Sequence, residues 1–65
     1  MNRMNAQEFT QLGEGIQRRF TGKSRGWQST LAFQLGLSVR TIRRYTAGDS
    51  KIPEPVARLL TGLAA

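Results

Sequence analysis

The chain has 65 residues, a formal net charge of +6 and neither cysteine nor histidine. It is therefore long enough for one small domain, and it lacks the side chains for a disulfide, a thiolate or an ordinary zinc site. No apolar run approaches the ~20 residues of a membrane span, and Met1 to Thr10 lacks the hydrophobic region of a signal peptide. We expect a single cytoplasmic domain over residues 1–65, without a cofactor, a metal or a small-molecule ligand.

The positive charge is concentrated in the middle of the chain. Seven of the ten basic residues lie between Arg18 and Arg44, and all four acidic residues lie outside that window. Such a segment attracts phosphate backbones or anionic membranes, with a strong dependence on salt. The scattered acids leave no convincing acid/base pair or nucleophile dyad, so an enzyme is not expected.

The segment from Met4 to Phe20 is predicted to form the first helix. Asn5 and Glu8 have the spacing of a capping box at its start. Gly13 and Gly15 each cost a helix interior about 1 kcal/mol relative to alanine, so they indicate a bend or a close approach of another helix. Apolar residues recur every three or four positions and predict one buried stripe: Phe9, Leu12, Ile16 and Phe20.

A flexible connection is predicted from Thr21 to Gly26. Arg19, just before it, suits the negative pole of the first helix, which competes with a role in binding phosphates. Trp27 follows the connection, where its ring can cover the seam between helices 1 and 2. We favour this packing role over a platform on which nucleic-acid bases stack.

The stretch from Gln28 to Ala47 is predicted to form two short helices that cross at a steep angle, a helix-turn-helix. Gly36 can adopt a positive φ and end the first of them, while Ser38 can cap the second. Gly48 is placed to close the second helix. Tyr45 shares the phase of the packed residues, so it is expected in the core and not stacked on a base. The apolar positions that carry this prediction are Leu31, Leu35, Leu37, Ile42 and Tyr45, with the small Ala32 between them.

A family resemblance is carried by Gln28, Leu31-Ala32, Gly36-Leu37-Ser38, Ile42 and Tyr45. With these residues the stretch resembles the DNA-binding motif of the lambda-repressor-like, or Cro/C1-type, regulators. The resemblance is close over this stretch and looser over the remaining chain. It implies an all-α bundle of four to five helices and a regulator that binds double-stranded DNA.

The second helix of the motif is predicted to turn two arginines away from the core. At about 100° per residue, Arg40 and Arg44 lie together opposite Ile42. Their guanidinium groups could contact O6 and N7 of guanine in the major groove. Ser38 and Thr41 are weaker candidates for base contacts. The alternative is that the arginines of this helix form only a solvated charged face.

Contacts to the DNA backbone are expected from residues around the predicted recognition helix. Arg43 lies on its flank, toward a phosphate or the edge of the groove. The resemblance implies a backbone contact from Gln28, at the start of the preceding helix. Lys23 and Arg25 in the connection, with Arg19, complete this set.

A turn over Asp49 to Ile52 precedes a fourth helix, predicted from about Pro53 to Leu63, where proline is tolerated in the first turn. Its apolar face is formed by Val56, Leu59, Leu60 and Leu63. Leu59, Leu60 and Leu63 cover more than one side of the helix, so they are candidate contacts of a homodimer. The alternative is that all three belong to the core.

The resemblance further implies an inverted-repeat operator bound by a homodimer, whose recognition helices enter successive major grooves about 34 Å apart. The simplest function is repression without an effector domain. Small regulators of this kind often come from phages or mobile elements and repress their own operon, as anti-CRISPR-associated regulators do. Two alternatives remain open: an antitoxin or adaptor that acts mainly through a protein partner, and a cationic membrane-active peptide, which the capped, separated helices disfavour.

Overall fold

The computed structural model describes residues 4–65, which form four helices joined by short turns and loops. They are α1 (Ala6–Thr21), α2 (Trp27–Leu35), α3 (Val39–Ala47) and α4 (Glu54–Ala64). No strand occurs within residues 4–65, so the predicted all-α class with four helices is confirmed. None of the described helices has the length and apolar content needed to cross a bilayer.

The start of α1 is set by the predicted capping box, which is present. Asn5 Oδ1 accepts a hydrogen bond from the Glu8 backbone N–H at 2.7 Å, and Glu8 Oε1 accepts one from the Asn5 N–H at 3.2 Å. These bonds satisfy N–H groups that have no partner within the helix. The helix therefore begins at Ala6, two residues later than predicted. Met4 lies outside the helix and packs against the core.

The core is built around α1, which packs against each of the other three helices. Phe9 is fully buried, and its ring meets the rings of Tyr45 and Trp27 edge-on, with centroids 5.5 Å and 6.2 Å apart. Edge-to-face pairs contribute about 0.5–1.5 kcal/mol beyond their buried area. Phe9 thus connects α1 to both α2 and α3. The buried apolar residues are Phe9, Ile16, Leu31, Ala32, Ile42, Tyr45 and Leu60.

Gly13 allows α1 and α2 to approach closely. A Cβ at this position would collide with the Trp27 ring and would lie 3.3 Å from Leu31 Cδ2. Trp27 is partly buried and packs against the core at this seam, which confirms its predicted packing role. A Cβ at Gly15 would meet nothing within 4 Å, so only the first of the two glycines is required for packing.

The predicted buried stripe of α1 ends before Phe20, whose side chain is 67% exposed. Phe20 was predicted to be buried, and this was wrong because the chain that follows α1 packs over Gln17 and leaves Phe20 exposed. Gln17 is buried, and its Nε2 donates a hydrogen bond to the Arg25 carbonyl oxygen at 3.0 Å. A polar residue therefore occupies the inner side of the last turns of α1.

The leucines of α4 divide between the core and the surface. Leu60 is fully buried, whereas Leu59 and Leu63 are 56% and 38% exposed. Leu60 is thus a core residue, and its prediction as a dimer contact was wrong because it has no surface to offer a partner. Within residues 4–65 the backbone of α4 lies near those of α1 and α2, and no Cα atom of α4 comes within 8 Å of one in α3. Leu60 shares the buried core with Ile42 and Tyr45 of α3, whereas Leu59 and Leu63 are exposed.

Candidate nucleic-acid interface

A three-residue turn joins α2 to α3. Gly36 adopts the left-handed conformation (φ 70°), and its N–H donates to the Phe33 carbonyl oxygen at 3.3 Å. The Leu37 N–H then donates to the Ala32 carbonyl oxygen at 2.9 Å, and the Leu37 side chain packs against the core. The predicted helix end at Gly36 is confirmed. Since the turn is both hydrogen-bonded and packed, it fixes where α3 begins.

The first turn of α3 is capped by Ser38, as predicted. Ser38 is extended, and its Oγ accepts a hydrogen bond from the Thr41 backbone N–H at 3.1 Å. The two side-chain hydroxyls are also hydrogen-bonded, with Ser38 Oγ 2.9 Å from Thr41 Oγ1. The sequence predicted two separate polar contacts and missed this pairing. Their three-residue spacing at a helix start is the signal that indicates it.

The core fixes the rotation of α3 about its axis. Ile42 is fully buried and Tyr45 is 8% exposed, which confirms that Tyr45 is a core residue. At the other end of the helix, Gly48 has φ 79° and the Asp49 N–H donates to the Arg44 carbonyl oxygen at 3.0 Å. Both ends and one side of α3 are therefore held, and the orientation of its opposite side is determined.

Three arginines occupy the free side of α3. Arg40, Arg43 and Arg44 are exposed. Within residues 4–65 no guanidinium of these three makes a hydrogen bond or an ion pair; the ion pair in that region joins Arg58 to Glu54, on α4. Arg40 and Arg44 are four residues apart, so they lie on the same side of the helix. This face thus presents cationic groups that are free to bind an anion or a base edge.

The connection between α1 and α2 supplies two more cationic side chains. Its backbone is held by left-handed Gly22 and Gly26, by the bond from Gln17 to the Arg25 carbonyl oxygen, and by a bond from the Lys23 N–H to Thr21 Oγ1 at 3.2 Å. The side chains of Lys23 and Arg25 are exposed and have no partner among the described residues. We call residues 22–26 the basic loop. Its shape is fixed while its charges are free.

The basic loop leads directly into the N-terminus of α2. Gly26 is the residue before this helix, and no side chain caps the free N–H groups there. Gln28, predicted to contact the DNA backbone, lies in this first turn and is half-buried. The positive end of a helix dipole favours anions at such a position.

Arg19 has a different partner from the predicted DNA backbone. Its Nη1 donates to the carbonyl oxygens of Ala64 and Ala65, at 2.8 Å and 3.3 Å. These carbonyls end α4, where the helix dipole is negative and a cation is favoured. Arg19 therefore holds α4 against α1. The sequence could not indicate this role, because the two partners lie 45 and 46 positions apart in the chain.

The exposed side of α4 is mainly apolar. Leu59, Leu63, Pro55 and Gly62 form it, together with the ion pair of Arg58 Nη2 and Glu54 Oε1 at 2.8 Å. Both partners of that pair are exposed and follow an i, i+4 spacing, so its effect on stability is small.

The candidate site residues are on three elements: the arginine face of α3, the turn that positions it, and the basic loop before α2. Its cationic groups are exposed, and the elements that hold them are fixed by the core. No protein-family model, curated protein or solved structure shows significant similarity to the chain.

Proposed function

We propose that the chain is a sequence-specific double-stranded DNA-binding regulator, most simply a transcriptional repressor that occupies an operator. The observation that supports this most strongly is the arrangement of α3. Ile42 and Tyr45 hold one side in the core, and Arg40 and Arg44 project from the other without protein partners. Unpaired arginines are suited to binding base edges when core packing fixes the rotation of their helix, as Ile42 and Tyr45 do for α3.

The dimensions of α3 agree with binding in the major groove. An α-helix with its side chains is about 10–12 Å across and the major groove is about 12 Å wide, so α3 can enter the groove with its arginines toward the bases. Its nine residues extend roughly 13 Å along the groove. The guanidinium group can donate two parallel hydrogen bonds to O6 and N7 of guanine. We assign this contact to Arg40 and Arg44.

We also propose that the phosphate backbone contacts cationic groups on the flank of α3 and in the basic loop. Arg43 lies on its flank, and Lys23 and Arg25 lie in the basic loop that precedes α2. The uncapped N-terminus of α2, with Gln28 in its first turn, adds N–H groups that favour a phosphate. These contacts carry no sequence information and set the position of the protein on the duplex.

The proposal includes the lambda-repressor-like arrangement, with α2 and α3 as the helix-turn-helix. A single α3 can contact only a few base pairs, too few to select one site in a genome. We therefore propose a symmetric dimer bound to an inverted repeat, with Leu59 and Leu63 of α4 at the contact. The backbone of α4 is separate from that of α3 in the described chain, and we propose that such a dimer leaves the arginine face free.

The exposed leucines of α4 also favour a second function, that of an antitoxin or adaptor. The exposed apolar side of α4 could bind a partner protein, with DNA binding secondary. The two functions differ in what the chain requires to bind its operator. A regulator binds DNA alone, and an adaptor requires its partner.

The test is selection of binding sites from random duplex DNA by the purified chain, followed by affinity measurement on the selected site. We expect an enriched, guanine-containing inverted repeat. A variant with both Arg40→Ala and Arg44→Ala should lose the preference for that site. The control is Lys51→Ala, which also removes an exposed cationic side chain but lies in the turn before α4, outside α3, the basic loop and the exposed leucines, and which should keep the preference. Enrichment of no sequence, or equal effects of the α3 and Lys51 changes, would contradict the proposal.

A further inference from the structure

The hydroxyl groups of Ser38 and Thr41 form a pair that leaves one hydroxyl proton free. Ser38 Oγ accepts from the Thr41 N–H at 3.1 Å and lies 2.9 Å from Thr41 Oγ1. Each hydroxyl has one proton, and only one of the two protons can lie between the two oxygens. The other proton has no acceptor among the described residues, and the pair is at the exposed start of α3.

Four of the six helical threonines donate the hydroxyl to the carbonyl oxygen four residues earlier, at 2.8–3.1 Å: Thr10, Thr21, Thr46 and Thr61. Thr30 and Thr41 are the two that do not. Such a bond leaves no proton for an outside acceptor. The Thr41 hydroxyl is instead held by Ser38, which accounts for its different orientation.

Either hydroxyl can be the donor between the two oxygens, and the order of the bonds determines which residue offers the free proton. A hydroxyl that accepts a bond becomes a better donor, so bonds that run head to tail strengthen one another. The favoured order here runs from the Thr41 N–H to Ser38 Oγ and from the Ser38 hydroxyl to Thr41 Oγ1. The free proton is then on Thr41, where it can be donated to an acceptor outside the protein, beside the first turn of α3.

We propose that Thr41 donates a hydrogen bond to a phosphate oxygen of the DNA backbone and that Ser38 is the residue that positions it. This inference rests on the proposed function. It differs from the sequence prediction, in which both residues contact bases. The reason lies in the helical phase of α3: Thr41 and Arg43 lie on opposite flanks of the side that carries Arg40 and Arg44. When that side faces the base edges, the two flanks face the two walls of the groove, which are phosphate backbones.

The variant Thr41→Val tests the donor, because it removes the hydroxyl and keeps the size, the branching and the N–H that Ser38 accepts. We expect the affinity for the selected duplex and for random duplex to fall by the same factor, about tenfold. The slope of affinity against salt should not change, since a neutral donor displaces no counterion. Thr41→Ser should restore binding. A loss confined to the selected site would mean a base contact and would overturn the assignment, as would no loss at all.

The role of Ser38 is tested by Ser38→Gly, which removes the hydroxyl at a cost of only a few tenths of a kcal/mol as a helix cap. We expect the same loss of affinity as in Thr41→Val, no further loss when the two are combined, and recovery in Ser38→Thr. If Ser38 served only as a cap, the double variant would show the two losses added together, and the proposal would be wrong. If the parent bound no duplex, the proposed function would fail with it; if the parent bound and Thr41→Val bound equally, only this inference would fail.

Discussion

The rings of Phe9 and Tyr45 meet edge to face with centroids 5.5 Å apart, and both residues are buried. Tyr45 directly follows Arg44, so this contact between α1 and α3 sets the rotation that turns Arg40 and Arg44 outward. The stability of the core and the direction of the proposed recognition side chains therefore depend on the same aromatic pair.

Replacement of Tyr45 should separate a core role from a role in stacking on DNA. Tyr45→Ala removes a buried ring and is expected to lower the free energy of unfolding by about 3 kcal/mol. Tyr45→Phe keeps the ring and should retain both the parental melting temperature and the DNA affinity. Thermal unfolding by circular dichroism measures the stability of both variants, and titration with the selected duplex measures their DNA affinity. Parental stability in Tyr45→Ala would show that the ring does not hold α3.

Gly13 and Gly15 offer a matched pair of substitutions on one helix. Gly13→Ala should destabilise the fold by about 1–3 kcal/mol, because the new methyl group collides with the Trp27 ring. Gly15→Ala meets open space and should stabilise α1 by up to about 1 kcal/mol through helix propensity. Chemical denaturation of both variants checks the prediction. It fails if the two substitutions change stability in the same direction by similar amounts.

The contrast between these glycines shows what the sequence could predict. Helix ends follow from neighbouring residues, so Asn5 with Glu8, Gly36 and Ser38 were predicted in the roles that the structure gives them. Both glycines, by contrast, break the same helix pattern. Only the position of Trp27 on another helix distinguishes them.

The incorrect predictions have the same physical origin. An apolar period places Phe20 on the inner side of α1, but it does not say where the neighbouring elements stop covering that side. Leu60 and Leu59 are adjacent, and only the packing of α4 on α1 decides which is buried. The hydrogen bonds of Arg19 to the distant end of α4 were also not predicted. Each of these outcomes depends on tertiary contacts, which local patterns do not contain.

Arg19 and the basic loop should differ in their effect on DNA binding. Lys23→Ala with Arg25→Ala removes two free cations, so affinity for specific and random DNA should fall together. The salt slope should flatten by about one to two units of log K per log salt. Arg19→Ala removes the bonds to Ala64 and Ala65 and should mainly lower the melting temperature, with the slope little changed. Affinity measured over a series of salt concentrations distinguishes a cation that contacts DNA from one that holds α4. Equal slope changes in the two variants would count against these separate roles.

The dimer contact is tested on two leucines of α4 that differ in exposure. Leu63→Glu places a charge on the exposed apolar side of α4 and should yield a folded monomer with weakened operator binding. Leu60→Ala should destabilise the fold by about 2–5 kcal/mol, because Leu60 is a core residue. Light scattering gives the mass, and circular dichroism gives the helix content. A parent that stays monomeric at tens of micromolar and binds its operator as one copy rules out the dimer.

The most direct test of DNA recognition by α3 is to change one acceptor atom in the DNA. In the selected site, 7-deazaguanine replaces guanine at the positions assigned to Arg40 and Arg44, which removes N7 and leaves base pairing intact. The parent should lose roughly half of the 1–3 kcal/mol that a bidentate pair contributes at each contact, because O6 still accepts one bond, whereas the variant with Arg40→Ala and Arg44→Ala, already weaker, should lose nothing further. Unchanged parental affinity, or an equal further loss in that variant, would contradict guanine recognition by these two arginines.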